Sequence, residues 1–120
     1  MGIGWDDHQA RVGAVRRNYE FFGAPHVAFF GIDEVFGVQT AADIGMFAQS
    51  LMLSMTANGL ASCAKGSLTH LPDFTREVFG VGPEIKILFG LSFGFADNEM
   101  PVNRAKTGRA PLTETVLFRG

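Results

Sequence analysis

The longest feature of the hydrophobic pattern is a helical stretch in the middle of the chain, where no charged residue lies between Asp43 and Lys65. Apolar side chains fall on nearly every face of a helix through residues 40–58, which predicts a helix surrounded by protein on nearly every side. Thr40 suits the N-cap, and Gly59 can adopt the positive φ that closes the helix. Polar residues interrupt the stretch and no Lys/Arg cluster flanks it, so we expect a buried helix and no membrane span.

An amphipathic pattern near the start of the chain predicts a first helix, with Asp6 or Asp7 as N-cap and Gly23 at the end. Its apolar face consists of Val12, Val15, Tyr19 and Phe22, and its outward side chains include Arg11, Arg16 and Arg17. Residues 26–32 follow as a run of strand length that is apolar on both faces, which is typical of an interior strand.

The second half of the chain begins with an extended or looping segment over residues 60–67. Pro72 then marks the first turn of a short helix that runs to Phe79 and ends at Gly80. Residues 85–95 have strand composition, and the glycines at positions 90 and 94 allow a neighbouring backbone or ring to approach closely.

The last part of the chain is a polar loop over residues 96–111, followed by a β-prone segment at residues 113–118. We expect the latter to add to a sheet edge in its own or a neighbouring subunit. The order of elements predicts an α/β or α+β sandwich built around the uncharged helix, as a single domain over residues 1–120.

Composition adds one expectation about the surface. Hydrophobic residues make up 47% of the chain, whereas charged residues make up 18%, below the usual one-quarter or so. Too little polar surface remains to cover an isolated domain, so we expect a partner subunit or a ligand to cover an apolar face.

Charge and cysteine content bear on the expected partners and on the compartment of the protein. The net charge of −2 gives no reason to expect a nucleic-acid partner, because such proteins usually present a basic face. A single cysteine, Cys63, precludes an internal disulfide, and no signal-peptide pattern is visible, so we expect a cytoplasmic protein.

Side-chain catalysis finds little support in the sequence. Phosphate-binding and dinucleotide-binding glycine motifs, metalloprotease motifs and paired cysteines do not occur, which leaves no expected metal site. The three histidines, His8, His26 and His70, lie on different predicted elements. Cys63 has no neighbouring base, so we expect it to pack as a small hydrophobe.

A bound flavin would avoid this difficulty, because the cofactor carries the chemistry and the protein positions it. The small-residue loop at 59–67 offers backbone N–H groups and room for a flat ring, and the loop at 104–109 offers cations for a phosphate. Glycine-rich turns and basic loops are common, however, so these features alone favour ordinary loops over a cofactor site.

Four segments together resemble the nitroreductase family of FMN-dependent NAD(P)H oxidoreductases. They are RNYEFFGAPH at 17–26, AADIGM at 41–46, GLASC at 59–63, and PVNR followed by TGRAPL at 101–112. The resemblance implies a nitroreductase-like α+β sandwich with a mixed, mostly antiparallel sheet around a long central helix. It also implies FMN as cofactor, NAD(P)H as reductant, a homodimer, and a nitroaromatic, quinone-like or related small molecule as electron acceptor.

The resemblance also assigns the site. The loop after the central helix would run along the flavin ring, with the Gly66 N–H as donor to flavin N5. The ring-contacting candidates are Ser62, Cys63, Ala64, Lys65, Gly66 and Ser67. Arg109 is the first candidate for the FMN phosphate and Lys106 the second, whereas Arg104 would bond the sheet or the surface.

The chain departs from the family in one respect. Family members carry further FMN contacts in a basic N-terminal segment and at an Asn, and this chain resembles only the C-terminal part of such a protein. Two interpretations follow: an FMN-dependent oxidoreductase, or a truncated, non-catalytic binding or scaffold module that does not retain FMN.

Overall fold

The computed structural model describes residue 4 and residues 6–105, 107–117 and 119. Its helices are α1 (His8–Tyr19), α2 (Val38–Ala57), α3 (Pro72–Phe79), α4 (Pro101–Arg104) and α5 (Leu112–Thr115). Its strands are β1 (His26–Asp33), β2 (Ala61–Lys65) and β3 (Ile85–Gly94). Two short 3₁₀ segments, Phe21–Gly23 and Gly66–His70, follow α1 and β2.

The three strands form one sheet in the order β1-β3-β2, with both pairings antiparallel. The longest strand, β3, is therefore central. Among the described residues β1 pairs only with β3, so the prediction of an interior strand at 26–32 is wrong, although both its faces are covered by side chains. An irregularity in the β1–β3 register falls between Phe30 and Gly31.

Two aromatic contacts show that helices lie on both faces of the sheet. Phe29 contacts Phe79 of α3 with 5.2 Å between ring centroids, and Phe30 contacts Phe47 of α2 at 6.3 Å. Because neighbouring strand residues point to opposite faces, α2 and α3 lie on opposite sides of the sheet. This is the predicted α+β sandwich.

The core centres on β3. Leu91 is fully buried, and Ile32, Ala48 and Leu68 are nearly so. The predicted close approach at the two glycines of β3 is confirmed: a Cβ at Gly90 would overlap the Leu68 side chain, and one at Gly94 would overlap Pro25.

The central helix differs from the prediction at its start and in its environment. It begins at Val38, with Gly37 as an N-cap that makes no side-chain hydrogen bond, so Thr40 is not the cap. Only Ala48 is buried among its residues, and Met46, Phe47 and Leu53 are about 60% exposed. The expectation that protein surrounds this helix on nearly every side is wrong within this chain. The predicted end is confirmed, with φ of 76° at Gly59.

The ends of the chain bring two further corrections. The first helix is capped by Asp7, whose Oδ1 accepts a hydrogen bond from the Ala10 N–H at 2.9 Å, but it stops at Tyr19 before reaching Gly23. The predicted strand at 113–118 is replaced by α5, and Val116 after it is extended without a strand partner in residues 107–117. Phe118 lies outside the described residues.

The short helix α3 follows the prediction, with Pro72 at its start and Gly80 closing it at a φ of 63°. In the described part of the chain, no helix combines the length and the apolar character needed to cross a membrane.

Candidate functional site

The candidate site is a cavity of about 570 Å³ beside β2, on the sheet face that α2 does not cover. Ala61, Cys63 and Lys65 alternate onto this face, and Ser92 of β3 stands opposite Cys63. The residues that follow β3, including α4, and the turn after α1 line other sides of this open cavity.

The turn after α1 has an unusual backbone. Phe21, Phe22 and Gly23 have consecutive positive φ values of 53°, 55° and 80°. The left-handed region costs a residue with a side chain about 1–2 kcal/mol, and such strain persists where the surrounding structure imposes it. The turn redirects the chain from α1 to β1 and places both phenylalanines at the cavity.

Lys65 is the most unusual side chain of the site, since it is only 4% exposed and still lines the cavity. Its ammonium group lies 3.9 Å from the centroid of the Phe22 ring. Burial lowers the pKa of Lys65 below its ordinary value, and the nearby Cys63 partly opposes this by raising it. No acidic side chain forms an ion pair with Lys65 among the described residues.

Arg17 is the second cation at the cavity. Its guanidinium carbon lies 5.5 Å from the centroid of the same Phe22 ring. Sequence reasoning placed Arg17 on the outward face of α1 and so missed it. The left-handed turn carries Phe22 back toward the last turn of α1, and neither helix periodicity nor residue propensity indicates that conformation.

The structure brings some of the predicted ring contacts together and separates others. Ser62, Cys63 and Lys65 line the cavity, whereas Ala64 alternates toward the α2 face. The Cys63 carbonyl accepts a long hydrogen bond of 3.5 Å from the Ser92 hydroxyl. Cys63 itself is exposed, so the expectation that it packs as a small hydrophobe is wrong.

Gly66 and Ser67 lie immediately beyond the cavity, in the 3₁₀ segment after β2. Nothing lies within 4 Å of the position that a Cβ would take at Gly66, so this backbone faces open space. The Ser67 hydroxyl is buried and has no hydrogen-bond partner among the described residues. The space beside the Gly66 backbone is therefore open to a ligand, whereas the Ser67 hydroxyl is enclosed by protein.

The predicted phosphate-binding residues do not line this cavity. Arg109 is exposed, and in the described residues it donates hydrogen bonds to its neighbours Thr107 and Gly108 at 3.0–3.3 Å. Arg104 is held by the Asn98 carbonyl and the Glu99 carboxylate, each at 2.8 Å. The prediction for Lys106 falls on a residue outside those that the structure describes.

Residues of α4 and its N-cap also contribute to the cavity; the PVNR segment supported the resemblance as a family motif but had no predicted role in the site. Met100, Val102 and Asn103 line it, and the Asn103 amide donates to the Asp97 carbonyl at 2.8 Å. The polar composition of residues 96–111 indicated a loop but gave no signal for this short helix. Across residues 4, 6–105, 107–117 and 119, no three His, Cys, Asp or Glu side chains cluster in a way that could hold a metal ion.

The sequence of this chain is similar to those of a known protein family. A sequence model of the nitroreductase family matches residues 4–95, which include α1, the sheet and the candidate site as far as Phe95. The chain belongs to the nitroreductase family.

Individual relatives align with almost the whole of this chain. The chain is 40% identical over 118 residues to the nitroreductase NfnB of Mycolicibacterium smegmatis and 32% identical over 115 residues to a 4-nitrobenzoate reductase of Pseudomonas putida. These alignments cover 98% and 96% of this chain but 50% of each relative. The chain thus spans about half the length of the curated relatives it matches.

Solved structures give the same result for the fold. The crystal structure of the FMN-dependent nitroreductase NfnB from Mycobacterium smegmatis, in complex with NADPH, matches with a TM-score of 0.94 and 39% identity. The FMN- and NADPH-dependent NfnB from Sphigopyxis sp. strain HMH matches with a TM-score of 0.95 and 36% identity. Each match covers 99% of this chain and 53% of the other. The predicted nitroreductase-like fold is confirmed, as part of a larger fold.

Proposed function

We propose that the chain serves an FMN-dependent oxidoreductase, which takes hydride from NAD(P)H and passes it to a nitroaromatic, quinone-like or related acceptor. The observation that carries this proposal is a match of 99% of this chain, at 36–39% identity, to 53% of two nitroreductase structures described as FMN-dependent, one of them in complex with NADPH. Flavin supplies the hydride-transfer chemistry when bound, and the protein supplies binding, orientation and electrostatics.

The residues of the structure fit a phosphorylated flavin. A cavity of about 570 Å³ lies within the usual range of ligand pockets, roughly 300–1,000 Å³. Next to it, nothing lies within 4 Å of the position that a Cβ would take at Gly66. Arg109 is exposed and bonded only within its own segment in the described residues, so its guanidinium is available to a phosphate.

In this proposal the backbone of residues 62–67 contacts the ring, with the Gly66 N–H as the donor to flavin N5. Arg109 would hold the phosphate through its guanidinium, and Lys106 would add a point charge. Arg104 is assigned to holding the loop, because both the Asn98 carbonyl and the Glu99 carboxylate already accept its hydrogen bonds.

The assembly in this proposal is a homodimer in the cytoplasm. The exposed apolar residues of α2 support a protein partner on the helix face opposite the sheet.

The decisive experiment is reconstitution of the 120-residue protein with FMN. We expect quenching of flavin fluorescence on titration, and NADPH oxidation that depends on added 4-nitrobenzoate, an acceptor named for the Pseudomonas putida relative. Protein that takes up no FMN contradicts the proposal for this chain and favours the non-catalytic binding or scaffold module. FMN uptake without NADPH oxidation contradicts the enzymatic part alone.

A further inference from the structure

Helix α3 and its N-cap carry an apolar stripe that the described part of this chain leaves largely uncovered. Leu71, Phe74 and Val78 are 50%, 64% and 61% exposed, and they recur at intervals of three and four residues, so they share one side of the helix. We call these three residues the α3 stripe. The buried residue of α3 is instead the polar Thr75, which is 6% exposed and donates its hydroxyl to the Leu71 carbonyl at 3.1 Å.

We propose that the α3 stripe docks the complementary half of a nitroreductase-family domain, which is the half that the relatives contain outside the part matched by this chain. The two NfnB structures match 99% of this chain with TM-scores of 0.94 and 0.95, and the match takes up 53% of each of them. Each of those proteins thus contains nearly the same length of further chain. A helix or strand from that further chain is the occupant that we assign to the stripe.

The direction of the stripe indicates where the partner lies. Thr75 and Phe79 face the sheet, since Thr75 is buried and Phe79 contacts Phe29 with 5.2 Å between ring centroids. Phe74 and Val78 each directly precede one of these two residues, so they lie about 100° further round the helix axis. The stripe therefore faces sideways along the sheet. An element lying beside α3 on the same sheet face would cover it, in the layered arrangement from which domains are built.

The amount of exposed surface favours a large partner over a second copy alone. The accessible surface of 9235 Å² exceeds that of a compact protein of 13.0 kDa by roughly 2,900 Å², whereas a standard interface covers about 800 Å² on each partner. A second copy bound through α2 would lie on the opposite face of the sheet from α3. It would leave the α3 stripe exposed.

The polar residues of α3 indicate that the occupant is protein. Asp73 and Glu77 lie along the outer edge of the stripe and are exposed. Arg76 is held on the far side of the helix, where it donates to the Ile85 carbonyl at 2.7 Å. An apolar centre with a polar rim is typical of a protein interface, whereas an acidic edge would repel an anionic lipid surface.

Co-expression tests the docking. The 120-residue protein is produced together with a tagged fragment of Mycolicibacterium smegmatis NfnB that contains only the residues outside the alignment. Capture on the tag is followed by sedimentation velocity without added FMN. We expect a soluble complex that contains the two polypeptides in equal numbers. Polypeptides that do not copurify, or an NfnB fragment that stays insoluble, overturn the proposal.

Two matched variants locate the docking face. Val78 on α3 and Leu53 on α2 are both 61% exposed, so the same substitution can be compared on opposite faces of the sheet. In a dilution series of the copurified complex, Val78→Glu should raise Kd about 30-fold or more, because it buries an unpaired charge against the partner. Leu53→Glu should change this Kd by less than about threefold. Equal losses in the two variants overturn the assignment to α3. Phe74→Glu repeats the test where Val78→Glu fails to fold.

Other occupants give different outcomes. Self-association of the 120-residue protein that Val78→Glu abolishes and Leu53→Glu leaves intact would assign the stripe to a second copy and overturn the proposal. The association measurements do not involve FMN, so failure here is distinguishable from failure of the proposed function. A complex that takes up no FMN contradicts the proposed function alone, whereas FMN uptake by the 120-residue protein without complex formation contradicts this inference alone.

Discussion

At the scale of single residues, the basic loop contains two arginines in different environments. Arg104 donates to the Asn98 carbonyl and the Glu99 carboxylate, whereas Arg109 bonds only to Thr107 and Gly108 in the described residues. The Glu99 carboxylate compensates the charge of Arg104, whereas no carboxylate forms an ion pair with Arg109 in the described residues. The free energy of phosphate binding should therefore depend mainly on Arg109.

We expect Arg109→Ala to weaken FMN binding by about 1.5–3 kcal/mol, the value of hydrogen bonds to a charged group, which is roughly tenfold to 150-fold in Kd. Arg104→Ala should change Kd by less than about threefold, because it removes contacts of the loop rather than of the ligand. Flavin fluorescence titration measures both. Equal losses in the two variants would refute the phosphate assignment.

Gly66 offers a test of the backbone donor. Gly66→Pro deletes the N–H, whereas Gly66→Ala retains it and places a methyl group in open space. Lys65 has extended backbone angles, φ −131° and ψ 102°, which suit a residue before proline. We expect NADPH oxidation to fall about 10²-fold or more in Gly66→Pro and to change by only a few-fold in Gly66→Ala. A proline variant as active as the alanine variant would remove Gly66 from the site.

Backbone strain at the turn after α1 gives a stability prediction. Gly23 has φ of 80° and Gly13 lies inside α1, and nothing lies within 4 Å of a Cβ at either position. Backbone preference alone therefore decides the sign of each substitution. Gly13→Ala should stabilise the protein by about 0.5–1 kcal/mol, and Gly23→Ala should destabilise it by about 1–2 kcal/mol. Urea unfolding at one protein concentration measures both, and the same sign for both would contradict the left-handed turn.

At the scale of helices and strands, the sequence predicted the helix ends that single glycine or proline residues determine. Pro72 and Gly80 bound α3, and Gly59 closes α2, because a fixed φ or a positive φ acts within one turn. Of the β-prone segment predicted at 113–118, residues 113–115 belong to the short helix α5, because strand formation depends on a neighbouring strand that the sequence does not reveal.

The residues of the candidate site likewise include some that the sequence predicted and one that it missed. Ser62, Cys63 and Lys65 were predicted, since they follow directly from the loop after α2 and from the family motif. Arg17 was missed, since it reaches the cavity only through the tertiary path of the left-handed turn. Local sequence patterns therefore did not predict the site contacts between residues that are distant in sequence.

Packing between β3 and the 3₁₀ segment after β2 is testable by a double-mutant cycle. A Cβ at Gly90 would overlap Leu68, which is 4% exposed and has little room to move. Gly90→Ala should therefore cost about 1–3 kcal/mol of unfolding free energy.

The companion change, Leu68→Ala, opens space at the same point. The double variant should be less destabilised than the sum of the two single variants by about 1 kcal/mol or more, as measured by urea unfolding. Additive losses would show that the two residues do not share this contact.

At the scale of the whole molecule, the chain is more extended and exposes more surface than a compact domain of its length. Its radius of gyration is 17.2 Å, whereas a compact domain of this length has about 14 Å. Its accessible surface is 9235 Å², against about 6,300 Å² expected for 13.0 kDa. The excess agrees with the expectation from composition that a partner subunit or a ligand covers an apolar face.

The outward face of α2 is the part of this surface where we expect a second copy to bind. Leu53 on α2 is 61% exposed, and Val12 on α1 is 54% exposed, so the two form a matched pair for the same substitution. Leu53→Glu would bury an unpaired charge in the dimer, which should weaken association by about 2 kcal/mol or more, roughly 30-fold in Kd. Val12→Glu should leave the dimer intact, because a carboxylate there stays in water. Sedimentation velocity over a concentration series measures both, and a monomeric parent protein or equal effects of the two variants would exclude α2 as the interface.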